Sequence, residues 1–341
     1  MKKILVTGGT GYIGSHTVVE LQNAGYEVVI VDNLSNSSEK SLDGIEGITG
    51  VRPGFMMLDL KDAVKTDEFF ATHNGIDAVI HFAASKAVGE SVDMPLEYYY
   101  NNLNSLMNVL ACMRKYEIKN IVFSSSCTVY GQANVLPVTE QTPRKEAESP
   151  YGNTKAMCED ILRDSARAYG NLNTIALRYF NPIGAHPSAL IGELPNGVPN
   201  NLIPFVTETA AGIREQLAVF GDDYNTPDGS CVRDYIDVVD LAKAHVVAIA
   251  RLLEGKNKFA YEFFNIGTGN GVSVLEIIKG FEKATGKRLN YSIAERRAGD
   301  IEQVWADTSF ANNELGWKAC TPLEETLANA WRFQERLEVK E

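Results

Sequence analysis

Short, uninterrupted apolar runs alternate along the first half of the chain with longer stretches whose apolar residues recur every three or four positions. Lys3-Ile4-Leu5-Val6-Thr7, Glu27-Val28-Val29-Ile30-Val31 and Phe55-Met56-Met57-Leu58 read as strands. So do Ala78-Val79-Ile80-His81-Phe82, Asn120-Ile121-Val122-Phe123-Ser124-Ser125 and Thr174-Ile175-Ala176-Leu177, the apolar texture of strands buried on both faces. Helical spacing runs from Ser15 to Ala24, ending near Gly25, then from about Pro95 to Tyr116 and from Pro150 to Tyr169. Strands alternating with helices predict an α/β fold on a doubly wound parallel sheet, with ligands bound beyond the carboxyl ends of its strands. After Arg178 the texture changes. Asn181 to Pro204 carries His186-Pro187, Leu194-Pro195, Val198-Pro199 and several glycines, which predicts a long irregular segment covering a substrate. Tyr261-Glu262-Phe263-Phe264-Asn265-Ile266 reads as one more strand. The predicted division is 1–180 for the first lobe and 181–341 for a smaller α/β substrate lobe, some of whose segments return to the first.

Gly8-Gly9-Thr10-Gly11-Tyr12-Ile13-Gly14 sits between the first strand and the first helix. Glycines there let backbone N–H groups and a helix N-terminus approach a pyrophosphate. Asp32 closes the second strand, 18 residues after Gly14, and is placed to accept hydrogen bonds from a ribose 2′-hydroxyl. A carboxylate there repels a 2′-phosphate, so the predicted cofactor is NAD rather than NADP, on a Rossmann-type first lobe. Asp59, Phe82-Ala83-Ala84 and Ser126 also fall at strand ends.

A second group carries acid–base chemistry. Ser149 suits a helix cap and Pro150 the first turn, and on the helix that follows Tyr151 and Lys155 share one face. Ser126 adds a hydroxyl at a strand end. A free phenol has a pKa of roughly 10, so using its anion near neutrality needs about 4 kcal/mol. One ammonium at ~5 Å and an effective dielectric of ~20 supplies about 3 kcal/mol. Lys155 is therefore expected to do most of this, with the positive charge of an oxidised nicotinamide closing the gap.

Composition narrows the setting. A formal charge of −12 argues against a nucleic-acid surface, so an anionic ligand must be gripped by a few placed arginines. Five scattered cysteines (Cys112, Cys127, Cys158, Cys231, Cys320) without CxxC spacing suit a reduced, cytosolic protein. The apolar run after Met1-Lys2-Lys3 is too short for a signal peptide, and no window approaches a membrane span. The five histidines form no ligand-spaced cluster, and no metal site is expected.

With these residues the chain resembles the extended short-chain dehydrogenase/reductase superfamily and, within it, the family of UDP-glucose 4-epimerases. The resemblance rests on Thr7 to Gly14, Asp32 to Ser37, His81 to Ser91, Ser124 to Ser126 and Tyr151 to Lys155. It continues through Arg178-Tyr179-Phe180-Asn181-Pro182, Pro199-Asn200-Asn201-Leu202, Val232-Arg233-Asp234-Tyr235 and Arg296-Arg297-Ala298-Gly299-Asp300, so it spans almost the whole chain. It implies C4 epimerisation between UDP-glucose and UDP-galactose through a 4-keto sugar, on a tightly held NAD. Tyr151 would take the 4-hydroxyl proton, Lys155 would lower the phenol pKa and hold the nicotinamide ribose, and Ser126 would bond the reacting oxygen. The implied cofactor contacts are Gly8, Gly11, Tyr12, Ile13, Gly14, Asp32, Asn33, Leu34, Ser35, Asn36, Ser37, Asp59, Leu60, Phe82, Ala83, Ala84, Ser85, Lys86, Asn101 and Phe180, besides Ser126, Tyr151 and Lys155. The implied nucleotide-sugar contacts are Asn181, Asn200, Asn201, Leu202, Ala218, Val219, Phe220, Arg233, Arg297 and Asp300.

Two positions depart from relatives. Val304 stands where some relatives carry Tyr, which suggests room beside the sugar C2 and acceptance of UDP-N-acetylhexosamines. Cys127 stands where relatives often have Ala and reads as an inert small residue. A nucleotide-sugar 4,6-dehydratase is the nearest rival, but its Asp-Glu pair is replaced here by Cys127-Thr128. A non-catalytic dinucleotide sensor is the other, and the joint presence of Ser126, Tyr151 and Lys155 speaks against it. The resemblance also implies a homodimer through the segments around Leu103 to Tyr116 and Ala156 to Tyr169.

Overall fold

The structure is a computed structural model that describes residues 1–297 and 301–338. The chain opens with β1 (Lys3–Thr7), α1 (Tyr12–Asn23), β2 (Glu27–Asp32), α2 (Lys40–Thr49), β3 (Gly54–Met57) and α3 (Ala63–Thr72). β4 (Ile76–His81), α4 (Val88–Asp93), α5 (Pro95–Lys115) and β5 (Asn120–Ser124) follow, then a 3-10 turn (Cys127–Tyr130), α6 (Pro150–Tyr169) and β6 (Asn173–Tyr179). Next come β7 (Asn181–Ile183), α7 (Leu202–Ala210), β8 (Leu217–Phe220), β9 (Val232–Arg233), β10 (Tyr235–Asp237), α8 (Val238–Leu253) and β11 (Tyr261–Ile266). β12 (Val272–Ser273), α9 (Val274–Thr285), β13 (Tyr291–Ala294), β14 (Gln303–Val304), a π-helical turn (Ala311–Leu315) and α10 (Leu323–Glu338) complete the described chain.

Seven strands form one sheet in the order β11-β6-β5-β4-β1-β2-β3, every neighbouring pair parallel. Order reverses beside β1, which feeds outward to β2 while the later strands build on the other side through β4. Such a reversal leaves a crevice at the carboxyl ends of the strands. Thr7 lies level with Val31 and His81, so the ends of β1, β2 and β4 are flush. Ile4, Leu5 and Val6 are fully buried, as continuous apolar strands in a covered parallel sheet must be. Separate apolar cores fill the two faces of the sheet, one under α1, α2 and α8, the other under α3, α5 and α6.

A third core holds the smaller lobe together, joining Ile203 and Val206 of α7 to Ile277 and Phe281 of α9 and Leu327 and Trp331 of α10. Short two- and three-stranded sheets complete it. Segment 238–266 belongs elsewhere: α8 packs on the large sheet and β11 becomes its edge strand beside β6. Several element ends differ from the sequence reading, and two of them bear on the site. α1 starts at Tyr12 rather than Ser15, because Gly11 in extended conformation caps it directly. β5 stops at Ser124, where the chain turns so that Ser126 can cap the 3-10 turn.

Candidate active site

The glycine turn opens at the flush ends of β1 and β4. Gly8 has φ +71°, and a Cβ there would lie 2.8 Å from the Ala83 backbone nitrogen. Gly14 packs against the Gly8 carbonyl, and a Cβ would also come within 2.9 Å of Gly9 Cα. Bare backbone at both positions brings the turn onto α1, whose N-cap Gly11 leaves its first N–H groups without a side-chain partner. The Tyr12 phenol turns away and donates to the Gly184 carbonyl at 2.7 Å.

Asp32 ends β2 nearly buried. Its carboxylate accepts from Thr10 N (3.2 Å), Leu34 N (2.9 Å) and Ser37 Oγ (3.1 Å), which shapes the loop through Asn33, Ser35 and Asn36. A carboxylate has about four lone-pair sites, so capacity for a ribose hydroxyl remains. Leu60 is buried near Asp59, whose side chain is 42% exposed. After β4, Phe82, Ala83, Ala84, Ser85 and Lys86 form a loop pinned from α5. Ser85 N donates to Asn102 Oδ1 (2.8 Å), and Asn101 Nδ2 donates to Ser85 Oγ (3.1 Å). Asn102 Nδ2 also reaches Thr154 Oγ1 at 3.0 Å, tying this loop to the helix that carries Tyr151. Asn102 escaped the sequence reading because a buried asparagine inside a helix has no pattern of its own. A glycine cradle, a helix end and an acid closing β2 fit a dinucleotide.

The acid–base residues converge at the ends of β5 and α6. Ser149 caps α6 by accepting from Gly152 N at 3.1 Å, with Pro150 in its first turn. Lys155 Nζ lies 5.8 Å from the centre of the Tyr151 ring and 4.9 Å from that of Phe123. It donates to the Ser124 carbonyl at 2.7 Å, and Lys155 and Tyr151 are both buried. Burial raises the Tyr151 phenol well above its ordinary value, Tyr179 adds to the rise, and a hydrogen bond with Ser126 opposes it. Burial also pulls the Lys155 ammonium down to about 8. The electrostatic expectation counted the charges of Lys155 and an oxidised nicotinamide; desolvation of the phenol works against both.

A polar network lies directly behind. Ser125 Oγ donates to Glu159 Oε1 at 2.6 Å, and Arg178 grips the same carboxylate through Nε (2.8 Å) and Nη2 (2.5 Å). Arg178 Nη1 continues to Tyr130 OH (2.9 Å), which donates to Asn265 Oδ1 (2.7 Å). Glu159 follows Tyr151 and Lys155 on the same face of α6, so a longer helical reading could have found it. The network joins α6 to the carboxyl ends of β5, β6 and β11 and fixes the strand that delivers Ser126.

From the smaller lobe, β9 and β14 place Val304 level with Arg233. Val304 and Phe180 pack with Cys127, Tyr130 and Ala306. Arg233 Nη1 donates to the Val232 carbonyl at 2.9 Å. Burial pushes the Cys127 thiol up to about 12 against the pull of Arg233. Asn181 N donates to the Asp234 carbonyl at 3.0 Å. On β8, Ala218 and Phe220 are exposed while Val219 is buried, and the Arg297 guanidinium lies 5.5 Å from the Phe220 ring centre. Asn200 and Asn201 are exposed just before Leu202, the first residue of α7. Asp300 lies outside the described residues. Among the described residues, no group of three or more His, Cys, Asp or Glu side chains could hold a metal ion.

The chain matches the NAD dependent epimerase/dehydratase family over residues 4–267. It is 55% identical over 331 residues to the UDP-glucose 4-epimerase of Bacillus subtilis, covering 97% of this chain and 96% of that one. A crystal structure of UDP-glucose-4-epimerase from Stenotrophomonas maltophila, with bound NAD and formylated UDP-arabinopyranose, has 45% identity and a TM-score of 0.96 over 100% of both chains. UDP-glucose 4-epimerase from Bifidobacterium longum, in complex with NAD+ and UDP, has 48% identity and a TM-score of 0.94 over 98% of both.

Proposed function

The chain belongs to the NAD dependent epimerase/dehydratase family, and on that premise we propose that it interconverts UDP-glucose and UDP-galactose by inverting the sugar C4. The observation that carries this is the meeting of Ser126, Tyr151 and Lys155 beside a glycine cradle, at the carboxyl edge of the sheet. The dehydratase alternative lacks chemistry here. Its extra acid–base pair would have to be Cys127, a thiol near pKa 12, and Thr128, whose buried hydroxyl has no partner.

Bound NAD supplies the hydride acceptor and donor at C4. Gly8, Gly11, Tyr12, Ile13 and Gly14 offer backbone to its pyrophosphate, Asp32 binds an adenosine ribose hydroxyl, and the 82–86 loop lines the nicotinamide side. Tyr151 takes the proton of the 4-hydroxyl and returns it once the 4-keto sugar has turned over, while Ser126 bonds the same oxygen. Lys155, fixed on the Ser124 carbonyl, holds positive charge beside the phenol. Burial makes the phenolate costly, so a second cation must act at the same place. A nicotinamide ring is cationic only when oxidised, which makes Tyr151 a base only when hydride can leave. Arg233 and Arg297 grip the diphosphate, since guanidinium matches phosphate oxygens, with Asn181, Asn200, Asn201, Leu202, Ala218, Val219, Phe220 and Asp300 completing the nucleotide-sugar site. On this reading residues 1–180 carry the cofactor and 181–341 mainly the substrate.

Val304 is smaller than the Tyr of some relatives and sits beside Phe180 and Cys127, so UDP-N-acetylhexosamines are also substrates. The protein is a cytosolic homodimer. Its cysteines are all free thiols, and Leu96, Tyr100 and Met107 of α5 with Met157 of α6 leave apolar surface on one helical layer for a second copy. Incubating the purified protein with UDP-galactose, without added cofactor, and analysing products tests the main reading. UDP-glucose is expected, and its absence from protein that contains NAD revives the sensor alternative.

A further inference from the structure

Of the run Val232-Arg233-Asp234-Tyr235, the proposed function uses only Arg233, yet its neighbour Asp234 is fully buried. An ionised carboxylate taken out of water is costly unless donors surround it. Four hydrogen bonds do so. Oδ1 accepts from Thr268 N at 2.8 Å and Thr268 Oγ1 at 2.7 Å, and Oδ2 from Gly269 N and Ala306 N, both at 3.1 Å. Gly267 packs on the same carboxylate, where a Cβ would collide with Oδ2. The Asp234 carbonyl accepts from Asn181 N at 3.0 Å.

These donors come from separate parts of the fold. Thr268 and Gly269 lie in the turn that follows β11, the edge strand of the large sheet. Ala306 lies just past β14 and is buried beside Val304. Arg233 depends on where β14 sits. Its Nη1 donates to the Val232 carbonyl of its own strand at 2.9 Å and to the Glu302 carbonyl, just before β14, at 3.4 Å. β9 and β14 pair over only two residues, a short ladder to hold those carbonyls in place. Asp234 supplies the missing anchor, since it leaves β9 and bonds the backbone just past β14. A guanidinium has five N–H donors, so capacity for a diphosphate remains.

We propose that Asp234 is a positioning residue for the reaction: its buried carboxylate pins β9 and β14 to the turn after β11 and so sets the Arg233 guanidinium for the substrate diphosphate. The inference rests on the reading that Arg233 grips that diphosphate. Asparagine keeps the size of the side chain but has one acceptor oxygen where the carboxylate has two. Whichever way the amide turns, its NH2 faces backbone N–H donors, either that of Thr268 or those of Gly269 and Ala306. Thr268→Val is the gentler change, removing a hydroxyl and leaving the carboxylate intact.

Inhibition of the NAD-loaded protein by UDP, measured against UDP-galactose turnover, reads the grip on the diphosphate. Asp234→Asn is expected to raise the Ki of UDP and the KM for UDP-galactose together, about tenfold, with kcat within about threefold and NAD content unchanged. Thr268→Val should move both constants the same way by about threefold, and it decides the matter if Asp234→Asn does not fold. In an Arg233→Met background, Asp234→Asn should change Ki by less than about threefold, because nothing is left to position. Unchanged Ki and KM in the single variants that fold overturn the proposal. So does a tenfold rise in Ki that persists without Arg233, or a loss of kcat and NAD at constant KM, the mark of general damage. An Arg233→Met change that by itself leaves Ki unaltered refutes the reading of Arg233 instead, and this inference with it.

Discussion

Replacing Lys155 with Met should make the protein more stable and inactive at once. The ammonium is buried against Phe123 and Tyr151, and its pKa falls from about 10.5 in an unfolded chain to about 8. That difference corresponds to about 3 kcal/mol of folding free energy lost at pH values below 8. Because the folded value is the lower one, the unfolded chain holds more protons between pH 8 and 10.5, and parent stability rises with pH across that window. Met keeps the length and volume without the charge, but leaves the Ser124 carbonyl without the 2.7 Å bond that Nζ makes, at a cost of about 1–3 kcal/mol. That cost does not depend on pH, so the comparison is cleanest as a double difference. Unfolding free energies of cofactor-stripped parent and Lys155→Met proteins are measured at pH 7 and pH 9.5. The stability of the variant relative to the parent should fall by about 2 kcal/mol between the two. A relative stability that stays flat with pH would refute a desolvated ammonium at this position.

Tyr151→Phe removes the proton acceptor and should lower kcat by about 10²–10⁴-fold while the purified protein still carries NAD, measured by turnover and by cofactor content. Asp32→Ala loses a charged acceptor for the ribose hydroxyl together with its bonds to Thr10, Leu34 and Ser37. NAD should dissociate about tenfold faster or more, read by cofactor release after dilution. Val304→Tyr should abolish turnover of UDP-N-acetylglucosamine and spare UDP-galactose. No activity of the parent chain on the N-acetylated sugar would end the idea of room beside C2.

The large sheet was legible because its central strands β1 and β2 carry unbroken buried aliphatic runs, Ile4-Leu5-Val6 and Val28-Val29-Ile30-Val31, while α5 and α6 show long helical spacing. Ser149-Pro150 fixed the start of α6, and with it the shared face of Tyr151 and Lys155. The smaller lobe was largely illegible. β9, β12 and β14 are two residues each, too short for any period to show, and their pairing depends on contacts distant in sequence. The desolvation of Tyr151 was illegible for a related reason: spacing places Lys155 near the phenol, but burial is a property of the folded whole. Asn102 and Glu159 were missed because each acts by holding another residue, which no local pattern announces.

The central claim is that C4 loses and regains the same hydrogen within one closed site, with Tyr151 handling only the oxygen-bound proton. UDP-galactose carrying deuterium at C4, incubated in ordinary water, tests this directly through mass analysis of the UDP-glucose formed. Full retention of deuterium at C4 is expected. Washout of the label to solvent would show that C4 is inverted by proton exchange at carbon, and would contradict the account.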